Sequence, residues 1–231
     1  MMRVTFLGHS GFLVELPSVT LLFDWWKGDL PSLRTDGPLL VFASHWHDDH
    51  FSPAIFSLKA EAFLLGDMDL PWLARKGASP EVLDRCVSLS GEETCAPLPG
   101  VIVETLYSTD EGVAFLVTAD GQTIFHAGDL NWWHWEGEPD PWNPDMERKF
   151  KAFSRPLTGR RMDLAMIPLD PRQNEDGFRT ADYYFEIADI RRFIPMHQWD
   201  NFAFTDAFLA RHPAYAPKTF PVLQAGQVFE F

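Results

Sequence analysis

The first third of the chain carries short apolar runs separated by small and polar residues. These runs read RVTFL, FLVEL, TLLFD and LLVFA, and the Gly, Pro and Ser residues between them are typical of turns. The pattern predicts four short strands joined as a meander. A polar cluster, HWHDDH at positions 45–50, follows the fourth run directly.

Helices and strands are predicted to alternate after this cluster. Ser52 precedes Pro53, and a helix is expected to begin there, because serine caps helices and proline suits their first position. Strands are predicted at EAFLLG and RCVSL with a helical stretch between them, then at VIVETL, VAFLVT and TIFHA. Asp120 and Gly121 predict the tight turn that joins the last two strands as a hairpin.

The last third favours helices separated by short strands. Met146, Phe150 and Phe153 have the spacing of the apolar stripe of an amphipathic helix. A strand at DLAMIPL, a helix beginning at Thr180, a strand at FIPM and a helix at TDAFLARH follow. Two blocks of strands, each followed by helices, predict an α/β fold with two sheets packed face to face. We expect a single domain over residues 1–231, since no linker or repeat divides the chain.

Composition narrows the partners that this protein is expected to have. The formal net charge is −14, so no nucleic acid polymer is expected, because such binding rests on Lys and Arg. The two cysteines, Cys86 and Cys95, make no disulfide framework and suit a reducing compartment. The sequence has no signal-peptide pattern and no apolar run of ~18 residues. We therefore expect a cytoplasmic protein with no membrane partner.

The cluster HWHDDH indicates a metal site. His45 and His47 are two residues apart after a strand, so both side chains face the same way and can meet one ion. Asp49 continues this alternation, whereas His50 points elsewhere and could reach a second ion. Imidazole and carboxylate suit zinc, manganese or iron. A solvated loop gives no reason for three histidines in six positions.

Two later segments deliver candidate ligands to strand ends. Asp129 follows Gly128 after the strand TIFHA, and His197 follows the strand FIPM. Each residue alone is weak evidence, since a strand-terminal Asp or His is more often a turn cap or a core residue. Because loops at strand ends carry functional side chains, these residues and the HWHDDH cluster together predict one site.

These motifs resemble those of the metallo-β-lactamase superfamily. The order H-x-H-x-D-H, then G-D, then a strand-terminal His is similar to the ligand pattern of that superfamily. The segments FLGHSGFLVE, FHAGD and IPMH are most similar to its branch of L-ascorbate-6-phosphate lactonase and related metal-dependent hydrolases. The resemblance implies a four-layer αββα sandwich that binds one or two divalent metal ions, zinc or manganese, along one edge of the sheets.

The resemblance also implies a role for each residue of the site. The implied ligands are His45 and His47 for the first ion, Asp49, His50 and His197 for the second ion, and Asp129 as the bridge. Asp49 is also the candidate catalytic residue. The implied nucleophile is a metal-bound hydroxide, because a bound metal lowers the pKa of water to about 7.

One ligand of the superfamily pattern is missing. The superfamily supplies a third histidine to the first metal before the G-D motif, and residues 51–125 contain no histidine. Tyr107 stands at that position and could ligate as phenolate, or Asp110 or Glu111 could substitute a carboxylate. The remaining alternative is a weak first site.

Two other histidines are expected close to the metal edge. Because of its position along the strand, the side chain of His126 is expected to face away from Asp129. His126 is therefore expected to support the site and not to bind an ion. His9 lies in the turn GHSG, where it could contact a ligand or form loop hydrogen bonds.

Aromatic and charged residues near the site suggest how a substrate is held. Trp132 and Trp133 follow Asp129 directly, and they could stack on a flat ligand or pack a long loop. Asp170 and Arg172 follow the strand AMIPL. Arg172 suits a carboxylate or phosphate group, although a loop arginine is more often part of a surface ion pair.

Three functions are consistent with these residues. The favoured one is a metal-dependent hydrolase that acts on a small ester, lactone or phosphorylated metabolite. The alternatives are a phosphodiesterase acting on a small nucleotide and a degenerate metal-binding module without turnover. Fold alone does not choose among them. We expect a small-molecule substrate, and a homo-oligomer is left open.

Overall fold

The computed structural model describes residues 1–231. The strands are β1 (Arg3–Gly8), β2 (Gly11–Glu15), β3 (Thr20–Phe23), β4 (Leu39–Ala43), β5 (Ala62–Gly66), β6 (Cys86–Leu89), β7 (Thr94–Leu98), β8 (Val101–Tyr107), β9 (Val113–Ala119), β10 (Gln122–His126), β11 (Arg161–Met162), β12 (Leu164–Pro168), β13 (Asp189–Ile190), β14 (Phe193–Met196) and β15 (Val228–Glu230). The α-helices are α1 (Leu70–Arg75), α2 (Pro80–Leu83), α3 (Trp142–Ser154), α4 (Arg179–Ile187) and α5 (Phe204–Arg211). Short 3₁₀ helices cover Pro53–Ser57, Arg155–Leu157, Pro171–Phe178 and Pro213–Lys218.

Two large sheets form the centre of the molecule. The first has the strand order β15-β1-β2-β3-β4-β5-β6, and the second has the order β14-β12-β10-β9-β8-β7. The predicted meander holds for β1, β2 and β3, which are antiparallel. It does not extend to β4, which pairs with β3 in parallel. The long connection over residues 24–38 carries the chain back before β4, as a parallel pair requires.

The run LLVFA is apolar throughout because β4 is buried on both faces. Leu40 and Phe42 belong to the core between the two sheets. Val41 points to the opposite face, where it joins a second apolar cluster with residues of α1 and α2. On the far side, Tyr184 of α4 packs edge-on against Phe125 of β10, with ring centroids 5.5 Å apart. The layers are those of an αββα sandwich, as predicted.

Three local predictions concern one turn and the starts of two helices. Asp120 and Gly121 both have positive φ, 50° and 71°, and they form the predicted turn between β9 and β10. The helix expected after Ser52 is a 3₁₀ helix, Pro53–Ser57, and the Ser52 Oγ accepts the Ala54 N–H at 3.3 Å. Thr180 does not cap α4, which begins at Arg179.

The strand ends deliver polar residues to one edge of the sandwich. The segments that meet there follow β1, β3, β4, β10, β12 and β14 and carry His9, Asp24, His45–His50, Asp129, Asp170 and His197. This edge holds the candidate site. None of the helices combines the length and the apolar character needed to cross a membrane.

Candidate metal centre

The structure brings all six sequence-predicted ligands together. Three groups have ligand atoms within 4.8 Å of one another: His9, Asp49, His50 and His197; His45, His50 and Asp129; and His45, His47 and Asp49. His9, whose role the sequence left open, is part of the first group. With His9 included, the ligands come from four separate segments of the chain, so the site exists only in the folded protein.

Asp129 lies at the centre of these groups. Its Oδ1 is 3.1 Å from Nε2 of His50 and 3.4 Å from Nε2 of His197. Its Oδ2 is 3.8 Å from Nε2 of His45. The preceding Gly128 has a φ of 51°, and a Cβ there would lie 2.7 Å from the side chain that follows β4. Glycine is therefore needed to bring Asp129 this close to the β4 loop.

The two oxygens of Asp129 divide the site into two subsites. We call the group around Oδ1 the inner subsite, with His50, His197 and Asp49. We call the group near Oδ2 the outer subsite, with His45 and His47. The division is physical, because the two carboxylate oxygens face different imidazoles.

Buried atoms without hydrogen-bond partners test whether these residues fit a metal ion. Nε2 of His9, His45, His50 and His197 and Oδ1 of Asp129 are all buried and form no hydrogen bond. Each such atom costs roughly 1–3 kcal/mol if nothing satisfies it. Imidazole nitrogen and carboxylate oxygen are common ligands of divalent metals. The residues present therefore fit a metal ion, and the His/Asp cluster is able to bind one.

A buried carboxylate, Asp24, orients two of the histidines. Its Oδ2 accepts hydrogen bonds from Nδ1 of His50 and from Oγ of Ser44, both at 2.7 Å. The Ser44 Oγ lies 3.0 Å from Nδ1 of His45 and can accept a hydrogen bond from its N–H. Both imidazoles are thus held through Nδ1, which leaves Nε2 directed toward Asp129.

Asp170 orients His197 in the same way. Its Oδ2 is 3.1 Å from Nδ1 of His197, and its two oxygens accept the Nε–H of Arg172 at 3.0 Å. Asp170 is fully buried. This corrects the expectation that Asp170 contacts a substrate, because both its oxygens are already engaged by protein groups.

Burial and neighbouring charges set the protonation of the site. Burial lowers the pKa of His45 to about 3 and that of His9 to about 4. Burial also disfavours the charged form of His50, yet Asp129 and Asp24 raise its pKa well above its usual value. Burial alone would raise the pKa of Asp129, but His50 and His197 hold it well below its usual range. The carboxylates thus favour a positive charge at the centre, which a metal ion also supplies.

The outer subsite is open on one side. The side chain of His47 is 32% exposed, and its Nδ1 lies 3.9 Å from Oδ2 of Asp110. Partial burial and the charge of Asp129 raise the pKa of Asp110. Tyr107 packs against Phe153 of α3, with ring centroids 5.4 Å apart. The structure therefore does not bring Tyr107 to the site, whereas Asp110, another candidate substitute ligand, lies beside His47.

An aromatic cleft of about 330 Å³ opens over the ligands. Its lining residues are His47, Asp49, Thr109, Asp110, Asp129, Trp133, Trp135, Trp142, Met146, Arg172, His197 and Trp199. Trp133 stacks on Trp135 with centroids 5.9 Å apart. The guanidinium of Arg172 lies 4.5 Å from the ring centroid of Trp199, a cation–π distance.

Trp132 does not share the position of its neighbour Trp133. It is buried in the core, and its ring centroid lies 5.7 Å from that of Phe150. Its backbone N–H donates to the Thr180 Oγ1 at 2.8 Å. This corrects the expectation that Trp132 contacts a substrate, because the side chain points into the core and does not line the cleft.

His126 supports the loops of the site and binds none of the ligand atoms. Its Nε2–H donates to the Ser10 carbonyl at 2.8 Å, while its Nδ1 accepts the Gly128 N–H at 3.2 Å. Its ring stacks on Phe23 with centroids 5.1 Å apart. The sequence reasoning missed Asp24, although this residue follows β3 as Asp129 follows β10, and the same strand-end argument applies to both.

Known protein families contain this arrangement of motifs. The defining pattern of the β-lactamase superfamily domain matches residues 3–134, more than half of the chain. The chain belongs to the metallo-β-lactamase superfamily.

Relatives and solved structures within this superfamily are similar over different lengths. A UPF0173 metal-dependent hydrolase of Desulforamulus reducens is 30% identical over 145 residues, 55% of this chain and only 62% of the relative. One of Nitratidesulfovibrio vulgaris is 28% identical over 218 residues, 87% of this chain and 81% of the relative. Igni18, a metallo hydrolase of Ignicoccus hospitalis, aligns with a TM-score of 0.67 at 19% identity, covering 100% of this chain and 99% of its own. This last likeness concerns the fold alone.

Proposed function

We propose that this protein is a metal-dependent hydrolase of a small ester, lactone or phosphorylated metabolite. The observation that carries the proposal is the set of buried, unpartnered imidazole nitrogens that gather around Asp129. The superfamily relatives are named metal-dependent hydrolases, which supports the same reaction class for this chain.

The residues of the two subsites are proposed to hold two divalent ions, zinc or manganese. Asp129 would bridge them, since its oxygens face different histidines. Bound metal in such a site makes a water nucleophile available at neutral pH and polarises the attacked oxygen. Asp49 is proposed as a ligand, because His9 and His50 hold its pKa below the usual value despite its burial. A lowered pKa for Asp49 suits metal binding better than proton donation.

The cleft supports a small substrate with a flat or apolar part. Trp133, Trp135 and Trp199 give it aromatic walls, and aromatic faces stack on planar groups. Arg172 lines the same cleft beside these tryptophans, and its positive charge suits an anionic group of the substrate. A cleft of about 330 Å³ lies within the range of small-molecule sites.

The test combines metal analysis with an activity screen. We expect the purified wild-type protein to hold zinc or manganese and to turn over members of a panel of aryl esters, lactones and phosphoesters. Asp129→Ala should lose both metal and turnover, because both subsites share this carboxylate. His212→Gln is the matched control, since His212 pairs with Asp182 away from the site.

Two outcomes would count against the proposal. Full metal and full turnover in Asp129→Ala would remove Asp129 from the ligand set. Metal bound by the wild type without turnover of any panel member would favour a metal-binding module instead.

A further inference from the structure

His9 has a backbone conformation that histidine rarely adopts. It lies in the turn between β1 and β2 with a φ of 53°, and the register of the two strands shifts between Phe6 and Gly8. A non-glycine residue with positive φ is uncommon, and such residues gather at functional sites. Since the backbone conformation does not favour histidine here, the reason for a histidine at this position lies in its side chain.

The imidazole of His9 points into the inner subsite. Its side chain is 2% exposed, and its Nε2 forms no hydrogen bond. The ligand atoms of His9, Asp49, His50 and His197 all lie within 4.8 Å of one another. The His9 ring centroid is 4.1 Å from that of His197.

The position of His9 is fixed from two sides. The His197 backbone N–H donates to the His9 carbonyl at 3.1 Å, and His197 also has positive φ, 61°. This bond ties the β1–β2 turn to the loop after β14. The ring of Trp199 packs against His9 with centroids 4.7 Å apart. Such packing presets the imidazole for a ligand.

Orientation of Asp49 is the simplest alternative role for His9. The Nε2 of His9 lies 3.5 Å from Oδ2 of Asp49, beyond the 2.7–3.2 Å range of ordinary N–H···O hydrogen bonds. Asp49 therefore does not satisfy this nitrogen. The separation leaves room for an ion between the two atoms, because metal–ligand bonds of about 2 Å on each side span up to about 4 Å.

We propose that His9 is a metal ligand of the inner subsite. This inference rests on the proposed function, since it requires the site to bind metal. With His9, the inner subsite offers three imidazoles, those of His9, His50 and His197, and two carboxylates, those of Asp49 and Asp129. The outer subsite offers two imidazoles, those of His45 and His47, with the shared carboxylate of Asp129 and with Asp49 within 4.8 Å. The inner subsite consequently fills first, and the chain gains at the inner ion the imidazole that it lacks at the outer one.

The first experiment titrates metal-free protein with Co²⁺ and records the visible ligand-field spectrum. His9→Gln should raise the Kd of the first equivalent by more than about 100-fold, beyond the 10–100-fold typical of residues that only orient a ligand. The spectrum of the remaining bound Co²⁺ should change as well. His212→Gln serves as the control for loss of one imidazole elsewhere. Circular dichroism and thermal unfolding of the metal-free proteins check that His9→Gln folds.

A second measurement uses the wild-type protein and does not depend on the folding of His9→Gln. X-ray absorption of the wild type loaded with one equivalent of Zn²⁺ counts the imidazoles bound to that ion, and we expect three. Two imidazoles would overturn the inference and leave His9 as a positioning residue. A Kd within about threefold of the wild type, with an unchanged spectrum, would overturn it too. Failure of the wild type to bind any metal would remove the proposed function together with this inference.

Discussion

The inner and outer subsites differ in how their histidines are supported. In the inner subsite, His50 and His197 each bind a buried carboxylate through Nδ1, Asp24 at 2.7 Å and Asp170 at 3.1 Å. These contacts fix both rings and raise the basicity of Nε2. The inner subsite is therefore preorganised by two buried carboxylates, one of which, Asp24, also holds the Ser44 hydroxyl that contacts His45.

The outer subsite has weaker support. His45 is buried, yet its Nδ1 contacts only the hydroxyl of Ser44, at 3.0 Å. His47 is partly exposed, and the nearest acidic group, Asp110, lies 3.9 Å away. The imidazoles of the outer subsite come from the most recognisable motif, H-x-H, but this subsite is the less preorganised one. A clear motif thus locates a candidate metal centre without showing which of its subsites is better preorganised.

Of the substitutions outside the proposed ligand set, Asp24→Asn should cause the largest change in metal affinity, and it should act on the inner subsite. The substitution removes the charge that holds Nδ1 of His50, so the affinity for the first metal equivalent should fall about 10–100-fold. Isothermal titration calorimetry of the metal-free protein with Zn²⁺ measures this affinity. Asp163→Asn is the matched control, because Asp163 is another buried carboxylate that bonds the Thr123 backbone and Arg161 far from the ligands.

The result of this titration shows which subsite Asp24 stabilises. An unchanged first affinity in Asp24→Asn, with a weakened second one, would reverse the order of the subsites. An equal loss in Asp163→Asn would trace the effect to general destabilisation.

Asp110→Asn should give a smaller effect, confined to the outer subsite. Because Asp110 is the carboxylate near His47, its loss should weaken the second metal equivalent by about tenfold and leave the first unchanged. The same titration reads both steps. Tyr107→Phe is the control, since the Tyr107 ring packs on Phe153, and neither equivalent should change. Weaker second binding in Tyr107→Phe would return Tyr107 to the ligand set.

Much of the fold could be predicted because each signal was local. The apolar run of β4 and the Asp120–Gly121 turn depend on neighbouring residues only, and both predictions are confirmed. Thr180 shows the limit. Its hydroxyl accepts a hydrogen bond from the backbone N–H of Trp132, 48 positions away along the chain. The hydroxyl that was predicted to cap α4 therefore forms a tertiary contact instead.

The candidate site could be predicted as far as strand-end positions allow. His45, Asp129 and His197 could be placed at one edge because each follows a strand. Asp24 and Asp170 could not be given their supporting roles, since their partners lie 26 and 27 positions away in sequence. The role of His9 depends on a backbone bond to His197, which no sequence pattern indicates.

The smallest effect is expected from Trp133→Ala, which alters the cleft wall above both subsites. Trp133 lines the cleft 5.7 Å from the ring of His197, so its loss should raise KM about fivefold, the equivalent of about 1 kcal/mol of ring stacking. Both metal affinities should stay at the wild-type values. The measurement is steady-state kinetics on the best substrate of the panel, together with the Zn²⁺ titration.

Trp132→Ala is the matched comparison, because the neighbouring indole packs on Phe150 in the core. Its loss should lower the free energy of unfolding by about 3–5 kcal/mol, and KM of the folded fraction should stay unchanged. Two adjacent tryptophans would then separate a stability effect from a binding effect.

A larger rise in KM for Trp132→Ala than for Trp133→Ala would show that the substrate lies elsewhere, since only Trp133 belongs to the cleft wall. A fall in either metal affinity in Trp133→Ala would show that the cleft wall also supports the metal ligands. Substrate binding and metal binding would then not depend on separate groups of residues.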